Sequence, residues 1–534
     1  MIGGLNIIIQ RISLGVLLLT LATMATAPVM AQQSEVDKLV APDGQLEDFF
    51  GGSVAIDGDV AVVGAYRVDD LGQDAGAVYV FRYDIGSATW NQEQKLLASD
   101  GELYDFFGSA VAIEGNTIIV GAFGDGPVYN GAVYVFRYDT TLGTWVETNK
   151  IVALDGFDYH YFGYSVDIYA DVALIGAFGD DDLGQYSGSA YIFRYDPISA
   201  TWSEEDKLLA SDGLTMDFFG YGCTLAGNDL ALVGASQHSH PGYTSCGAVY
   251  AFKYDPSTQQ WSEIQEILKQ NPSPADGDQF GASLSASGNI LIVGSVGDDS
   301  SNTDAGAAYV YEYNPISSFW SYAGWIHSAD IDVGDEFGFS VSVTGNEKRY
   351  IALIGARYDE DNGQESGSAY LFRSDVGSGV WIQTSKLVPS DGEAEDQFGY
   401  NTAISGNMGI VAAPYEDTVA VDAGAAYGFH ALNLNIAPDP LPAGQAGYFY
   451  VTSAAPNSAT FLAYGVSGLR NTYVPQLKVW LDIKTPKKGT GPTTSDSYGG
   501  LTWVLPIPAL HGVNVWLQAV QDREASNVVA SSIQ

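Results

Sequence analysis

The sequence predicts an all-β protein: a seven-bladed β-propeller closed by an N-terminal strand, followed by a small β-sandwich-like C-terminal domain. Three observations carry this. One pattern recurs seven times along 534 residues, with its Phe-Gly pair at Phe50, Phe107, Phe162, Phe219, Phe280, Phe337 and Phe398. The spacing of 55 to 61 residues suits four short strands and their turns, which is one propeller blade. Hydrophobic residues make up 46% and charged residues 16%, with 62 Gly, 33 Tyr and 23 Phe, a composition of strands and tight turns rather than helices. A tryptophan-bearing strand ends each repeat but the last, at Trp90, Trp145, Trp202, Trp261, Trp320 and Trp381.

Taken in order, residues 1–31 read as a signal peptide. Arg11 precedes the apolar run Ile12 to Ala25, and Val29-Met30-Ala31 offers small residues to a signal peptidase. The run is short for a bilayer span, so export without membrane insertion after cleavage is expected. The propeller is assigned to residues 32–432. In its first copy Ser53 to Ile56 forms a short strand, Asp57-Gly58-Asp59 turns it, and Val60 to Ala65 returns as a continuous apolar strand. Gly76 to Tyr83 then alternates sides, and Thr89 to Leu97 supplies the outer strand. Phe50 reads as a wedge between blades. Seven Phe-Gly pairs against six tryptophan strands leave the last blade one strand short, while Glu35 to Val40 carries the Lys38-Leu39 ending of such a strand. The N-terminal segment is therefore expected to complete blade seven and hide two sheet edges. Residues 433–442, with Ala437-Pro438-Asp439-Pro440-Leu441-Pro442, read as a linker. In 443–534 the alternating runs Tyr448 to Val451, Leu477 to Ile483 and Val513 to Ala519 suggest the sandwich, and Lys484, Lys487 and Lys488 form a small basic spot.

The net charge of −42 is concentrated between the leader and residue 433, where 15 basic residues face 59 acidic ones. Such a surface repels nucleic acid and anionic membrane; it serves either solubility in a saline exterior or loading with divalent cations. The two cysteines, Cys223 and Cys246, share one repeat. In an exported protein they form a candidate disulfide, with two buried free thiols as the alternative.

Phe-Gly followed by Val-Gly-Ala, as in Phe50-Gly51 with Val63-Gly64-Ala65 and Phe219-Gly220 with Val233-Gly234-Ala235, resembles the FG-GAP repeats of integrin α-subunit propellers. The Lys-Leu-x-Ala-Ser-Asp-Gly stretches at Lys95 to Gly101 and Lys207 to Gly213 are closest to the bacterial branch of that repeat. The resemblance spans about three quarters of the chain and implies a secreted binding module. Integrin repeats carry a calcium loop between their first two strands, but Asp57-Gly58-Asp59, Glu114-Gly115-Asn116 and Ala226-Gly227-Asn228 are too short for a cation wanting six to eight oxygens. A different acidic loop follows Gly-Ala: Asp69 and Asp70; Asp180, Asp181 and Asp182; Asp298 and Asp299; Asp359 and Asp361. These are either calcium candidates or solvated turns, so calcium is an optional cofactor and none is required.

No nucleophile elbow, phosphate loop or zinc-protease helix occurs. His238-Ser239-His240 offers two histidines that could grip a metal, but on one exposed loop with no third ligand nearby it reads as plain loop. The leading expectation is a secreted, monomeric, non-catalytic binding or adhesion protein whose propeller face contacts extracellular protein or a cell-surface glycan. A lectin-like propeller is the alternative, with Tyr66, Phe123, Phe178 and Tyr358 as sugar-stacking platforms or as inter-blade packing. An extracellular polymer-degrading enzyme is the second alternative.

Overall fold

A computed structural model describes residues 32–33, 35–270, 273–346, 349–374 and 380–431, and beyond residue 432 only short strands. Seven antiparallel sheets follow one another in chain order. Blade one runs from its inner strand Phe50–Asp57 through Val60–Ala65 and Ala77–Asp84 to the outer strand Thr89–Leu96. Blade four repeats it with Phe219–Leu225, Leu230–Ala235, Ala248–Asp255 and Gln260–Ile267. The inner strands neighbour one another around a ring, and blade seven meets blade one.

The strand Val60–Ala65 is buried at every position, as its unbroken apolar run requires. Each Phe of a Phe-Gly pair is fully buried. Phe107 packs 5.3 Å from Tyr134 and 6.0 Å from Phe136, in a core shared with Val62 and Val80 of blade one; Phe50 is the corresponding wedge between blades seven and one. Outer strands are pinned by their tryptophans: Tyr83 faces Trp90 across the ladder with ring centroids 5.3 Å apart, and blades two to five repeat the pair.

The Gly-Ala glycine is a contact residue. A Cβ on Gly64 would lie 2.0 Å from the Gly108 carbonyl oxygen of the next blade, and one on Gly176 would lie 2.1 Å from that of Gly220. The serine of Phe-Gly-x-Ser closes the same junction, as Ser53 Oγ donates to the Gly108 carbonyl at 2.8 Å and Ser165 Oγ to Gly220 at 2.9 Å.

The strand Asp37–Leu39 pairs antiparallel with Ala425–His430 and completes blade seven. Leu39 is 1% exposed within the core shared with blade one. Gln32–Gln33 adds a parallel strand to the outer edge of blade six, opposite Lys386 and Leu387.

One expectation is corrected. Cys223 and Cys246 are free thiols. Cys223 pairs with Val233 from the inner strand, whereas Cys246 precedes the third strand, Ala248–Asp255; two ladder spacings alone amount to about 9–10 Å and the offset along the strands adds to that, beyond the reach of a disulfide. Cys223 Sγ lies 3.7 Å from the Leu174 carbonyl and Cys246 Sγ 3.6 Å from that of His238. The stretch read as a linker opens with a strand, Asn433–Ala437, paired antiparallel with Ala446–Thr452. Strands also form over Ala459–Gly465, Leu469–Val474, Val479–Ile483, Leu501–Pro506, Asn514–Gln521 and Glu524–Ser532; the connections between them, and the leader, lie outside the described residues.

Candidate functional site

Two connections of each blade meet on one face of the ring: the one from strand two to strand three, and the one entering the next blade. They are bonded to each other across the blade boundary, Tyr104 N to Gln73 O at 2.7 Å, Phe106 N to Asp74 O at 3.1 Å and Phe107 N to Ala75 O at 3.0 Å. The closure of blade seven onto blade one repeats the set, from Glu47, Phe49 and Phe50 to Val421, Asp422 and Ala423. The residue before every Phe-Gly is left-handed, with φ between 51° and 57° at Phe49, Phe106, Tyr161, Phe218, Gln279, Glu336 and Gln397. A non-glycine residue there costs about 1–3 kcal/mol and persists only where its surroundings dictate it. The face is thus a set of fixed loops rather than pliable ones.

Aromatic side chains run along it. Phe49 meets Tyr415 edge-on at 4.8 Å and Tyr66 at 5.8 Å; Tyr66 is 6.3 Å from Phe106, which stacks on Phe123 at 5.0 Å. Phe123 is 6.0 Å from Tyr161, which stacks on Phe178 at 5.0 Å, and Phe178 meets Phe218 at 5.5 Å. Tyr66, Phe123 and Phe178 therefore join one continuous arc, half-buried and bridging adjacent blades. Tyr358 stands apart from it, covered by the Arg357 guanidinium at 4.4 Å. Near the axis, Tyr164 and Tyr221 pack at 5.1 Å and Phe339 and Tyr400 at 5.2 Å; burial pushes Tyr164 well above the ordinary phenol range.

The acidic loops hold lysines. In blade three Lys207 Nζ lies 2.6 Å from Asp155, 2.8 Å from Asp180 and 2.8 Å from Asp182, while the buried Tyr191 hydroxyl donates to Asp155 at 2.8 Å. Lys95 joins Asp43 and Asp70 in blade one, Lys150 joins Asp100 and Asp125 in blade two, and Lys386 joins Asp330, Asp359 and Asp361 in blade six. Lys38 of the closing strand serves blade seven with Asp391 and Glu416. In blade five Trp325 takes the outer-strand place, and Lys269 from the preceding connection reaches Asp278 and Asp298 at 2.8 Å each. Burial pulls the Lys207 ammonium down, but hydrogen bonds to Asp155, Asp180 and Asp182 outweigh it and hold the group above its ordinary value. The remaining calcium candidates cap their own loops: Asp69 accepts from Asp74 N at 2.8 Å, Asp181 from Tyr186 N at 2.7 Å and Asp299 from Asp304 N at 2.7 Å. Each candidate carboxylate thus already has an ammonium or a backbone N–H as partner.

Blade four departs from this plan. Glu266 replaces the outer-strand lysine opposite Tyr250, and His238 replaces the aspartate that follows Gly-Ala. His238 is not the exposed loop residue expected: it is 3% exposed, with Nδ1 3.0 Å from Asp217 and 3.4 Å from the Tyr250 hydroxyl. Burial lowers its pKa, yet the hydrogen bond to Asp217 and the carboxylates of Asp217, Asp212 and Glu266 leave it raised. Beside it a cleft of about 290 Å³ opens between the entry loop, from Leu214 to Phe218, and Gln237, Ser239 and Ser245.

A family model for the FG-GAP repeat matches residues 33–81, 90–136, 145–193, 202–252, 261–311, 320–372 and 381–429. This chain belongs to the FG-GAP repeat family. From the second onward, each matched FG-GAP unit begins on the outer strand of one blade and ends on the third strand of the next, and the first runs from residue 33 through the closing strand Asp37–Leu39 into blade one, so the repeat in sequence is staggered against the blade in space. No match was found among curated proteins. Among solved structures, the chain is similar to a protein from Lactobacillus plantarum (14% identity, 64% of this chain and 86% of that one, TM-score 0.42). It is also similar to the Saccharomyces cerevisiae Sqt1 (10%, 75% and 99%, 0.39) and to the periplasmic gluconolactonase PpgL of Pseudomonas aeruginosa (13%, 64% and 86%, 0.43). At this distance none of the three bears on what the chain does.

The lysine clusters of the FG-GAP ring were missed in the sequence because their members lie some fifty residues apart. The signal was there: Lys-Leu, Asp-Gly and the Asp after Gly-Ala recur together, and in blade four the lysine and that aspartate change together.

Proposed function

We propose that this FG-GAP propeller is an exported, non-catalytic binding protein whose loop face holds an extracellular protein or cell-surface partner. One observation carries the reading. Exposed apolar side chains recur on the rigid entry loops, with Leu46 at 62% exposure, Leu103 at 57%, Leu214 at 56% and Val333 at 68%, joined by Phe157. Apolar groups repeatedly held in water on fixed loops are typical of a contact surface. The acidic loops around them favour a partner with basic groups at its rim. A carbohydrate partner is the second reading, supported by the half-exposed rings of Tyr66, Phe123 and Phe178; their stacking on Phe49, Phe106 and Tyr161, which covers ring faces a sugar would need, weighs against it.

The test is binding of residues 32–534 to arrays of extracellular proteins and of glycans, alongside the variant L46D/L103D/V333D. The expected result is saturable binding to a protein, weakened about tenfold or more in the variant. Glycan binding that the variant leaves intact would move the carbohydrate reading to first place, and silence on both arrays would count against both.

A further inference from the structure

Six blades of the ring carry their own cation: a lysine ammonium sits among the carboxylates that gather below the loop face. The fourth blade has exchanged that cation for an anion. Its outer strand presents Glu266 where Lys207, Lys150 and Lys95 stand in the preceding blades, and Asp212 keeps the place held by Asp155, Asp100 and Asp43.

What faces these two carboxylates is an oriented imidazole. Asp217 and the Tyr250 hydroxyl hold His238 Nδ1, so in the neutral ring the proton belongs on Nδ1 and the lone pair on Nε2. The His238 residue is 3% exposed, and among the described residues Nε2 has no hydrogen-bond partner; its nearest acid oxygens are Glu266 Oε1 at 3.8 Å and Asp212 Oδ2 at 4.0 Å. Glu266 Oε1 is itself buried and without a hydrogen-bond partner. Asp212 spends its other oxygen on the Tyr250 hydroxyl, 2.7 Å away, which leaves Oδ2 turned to the cluster. One ligand atom from each of the three residues lies within 4.8 Å of the others.

We propose that Asp212, His238 and Glu266 form a binding site for one divalent transition cation of the zinc class. One imidazole nitrogen and two carboxylates are a donor set that zinc accepts, with bonds of roughly 2.0–2.2 Å that set ligand atoms about 3.3–3.5 Å apart; Nε2 stands 3.8 Å from Glu266 and 4.0 Å from Asp212, so the side chains must draw in by roughly 0.5–1 Å, a rotamer adjustment. Asp217 acts as the carboxylate that fixes the histidine behind the metal, the arrangement that orients and strengthens imidazole ligands. The cation does for blade four what Lys207 does for blade three. The second acidic cluster of matching geometry, Asp155 with Asp180 and Asp182, takes no metal because Lys207 already fills it.

The competing account is that protonated His238 replaces the lysine and no metal binds. Titration of the chelator-stripped protein with Zn²⁺ by calorimetry, and with Co²⁺ by visible absorption, separates the two. The proposal expects one ion per chain and a histidine-and-carboxylate cobalt spectrum. The double variant H238D/E266K rebuilds the lysine cluster of blade three, so it keeps the fold and should lose binding at least about a hundredfold. Asp217→Asn should weaken it about 10–100-fold while leaving one site. No binding by the native protein, or binding as tight in H238D/E266K as in the native chain, would overturn the proposal.

Discussion

At Lys269 the ammonium is 2% exposed, and its two partners, Asp278 and Asp298, are 1% and 0% exposed. Lys95 makes the same kind of contact, but with Asp43 and Asp70 at 53% and 37% exposure. The two lysines should therefore differ sharply in worth. Removing one member of a buried ion cluster leaves uncompensated charge behind and costs about 3–5 kcal/mol, whereas an exposed pair is worth about 1 kcal/mol or less. Lys269→Met is expected to lower the denaturant midpoint markedly and Lys95→Met only slightly; equal effects in chemical unfolding would refute the distinction. The same contrast explains what could be read in the sequence. Phe-Gly, Val-Gly-Ala and the tryptophans are dictated by local crowding, such as the 2.0 Å between a Gly64 Cβ and the Gly108 carbonyl, and crowding tolerates no substitute. The ion clusters are chemical partnerships across distant positions, which blade five satisfies with Lys269 from a different place in the repeat, so no single position betrays them. Cys223 and Cys246 misled because shared membership of a repeat says nothing of which strand lies between two residues.

Among the elements, the three-residue strand Asp37–Leu39 holds a position out of proportion to its length. It covers the edge of Ala425–His430, buries Leu39, and brings Lys38 to Asp391 and Glu416. It was legible because the repeat count came out one strand short. A chain starting at residue 45 is expected to melt at a lower temperature in a calorimeter, with blade seven frayed. A synthetic peptide of residues 33–44 added in trans should bind it and restore most of the loss, since the partner strand remains in place. Failure of the peptide to bind would show that this strand does not complete the sheet independently. The face built by the entry loops was less legible than the strands: the sequence locates the loops, but the left-handed residues that fix them, Phe49 and Phe106 among them, carry no glycine signature.

For the whole molecule, two populations of carboxylates set opposite pH dependences. Burial, opposed by a hydrogen bond from a backbone N–H three residues earlier, pushes Asp105, Asp335 and Asp396 up to about 6. The folded state holds these protons more tightly than the unfolded chain, where aspartate titrates near 3.9. Stability from this group is present below about pH 4 and is lost as pH rises through about 6. Asp43, Asp100, Asp155 and Asp391, held low by lysine and tyrosine hydrogen bonds that outweigh burial, behave in reverse and lose their contribution as pH falls below the ordinary aspartate value. Maximum thermal stability is thus expected between about pH 4 and 6, and D105N/D335N/D396N should flatten the decline above it. A melting temperature that rises steadily to pH 8 would contradict this. With a net charge of −42, added salt should also raise the melting temperature at neutral pH by screening self-repulsion.

The pairing of Asp37–Leu39 with Ala425–His430 also has a temporal side. During synthesis the first of these strands emerges nearly four hundred residues before its partner exists, so the ring is assembled as an open arc and locked only by its final blade. Completion of the chain is therefore read out as geometry. A polypeptide that stops short of blade seven leaves its first strand with nothing to bind, and it can be told apart from the finished product by that unmatched end alone.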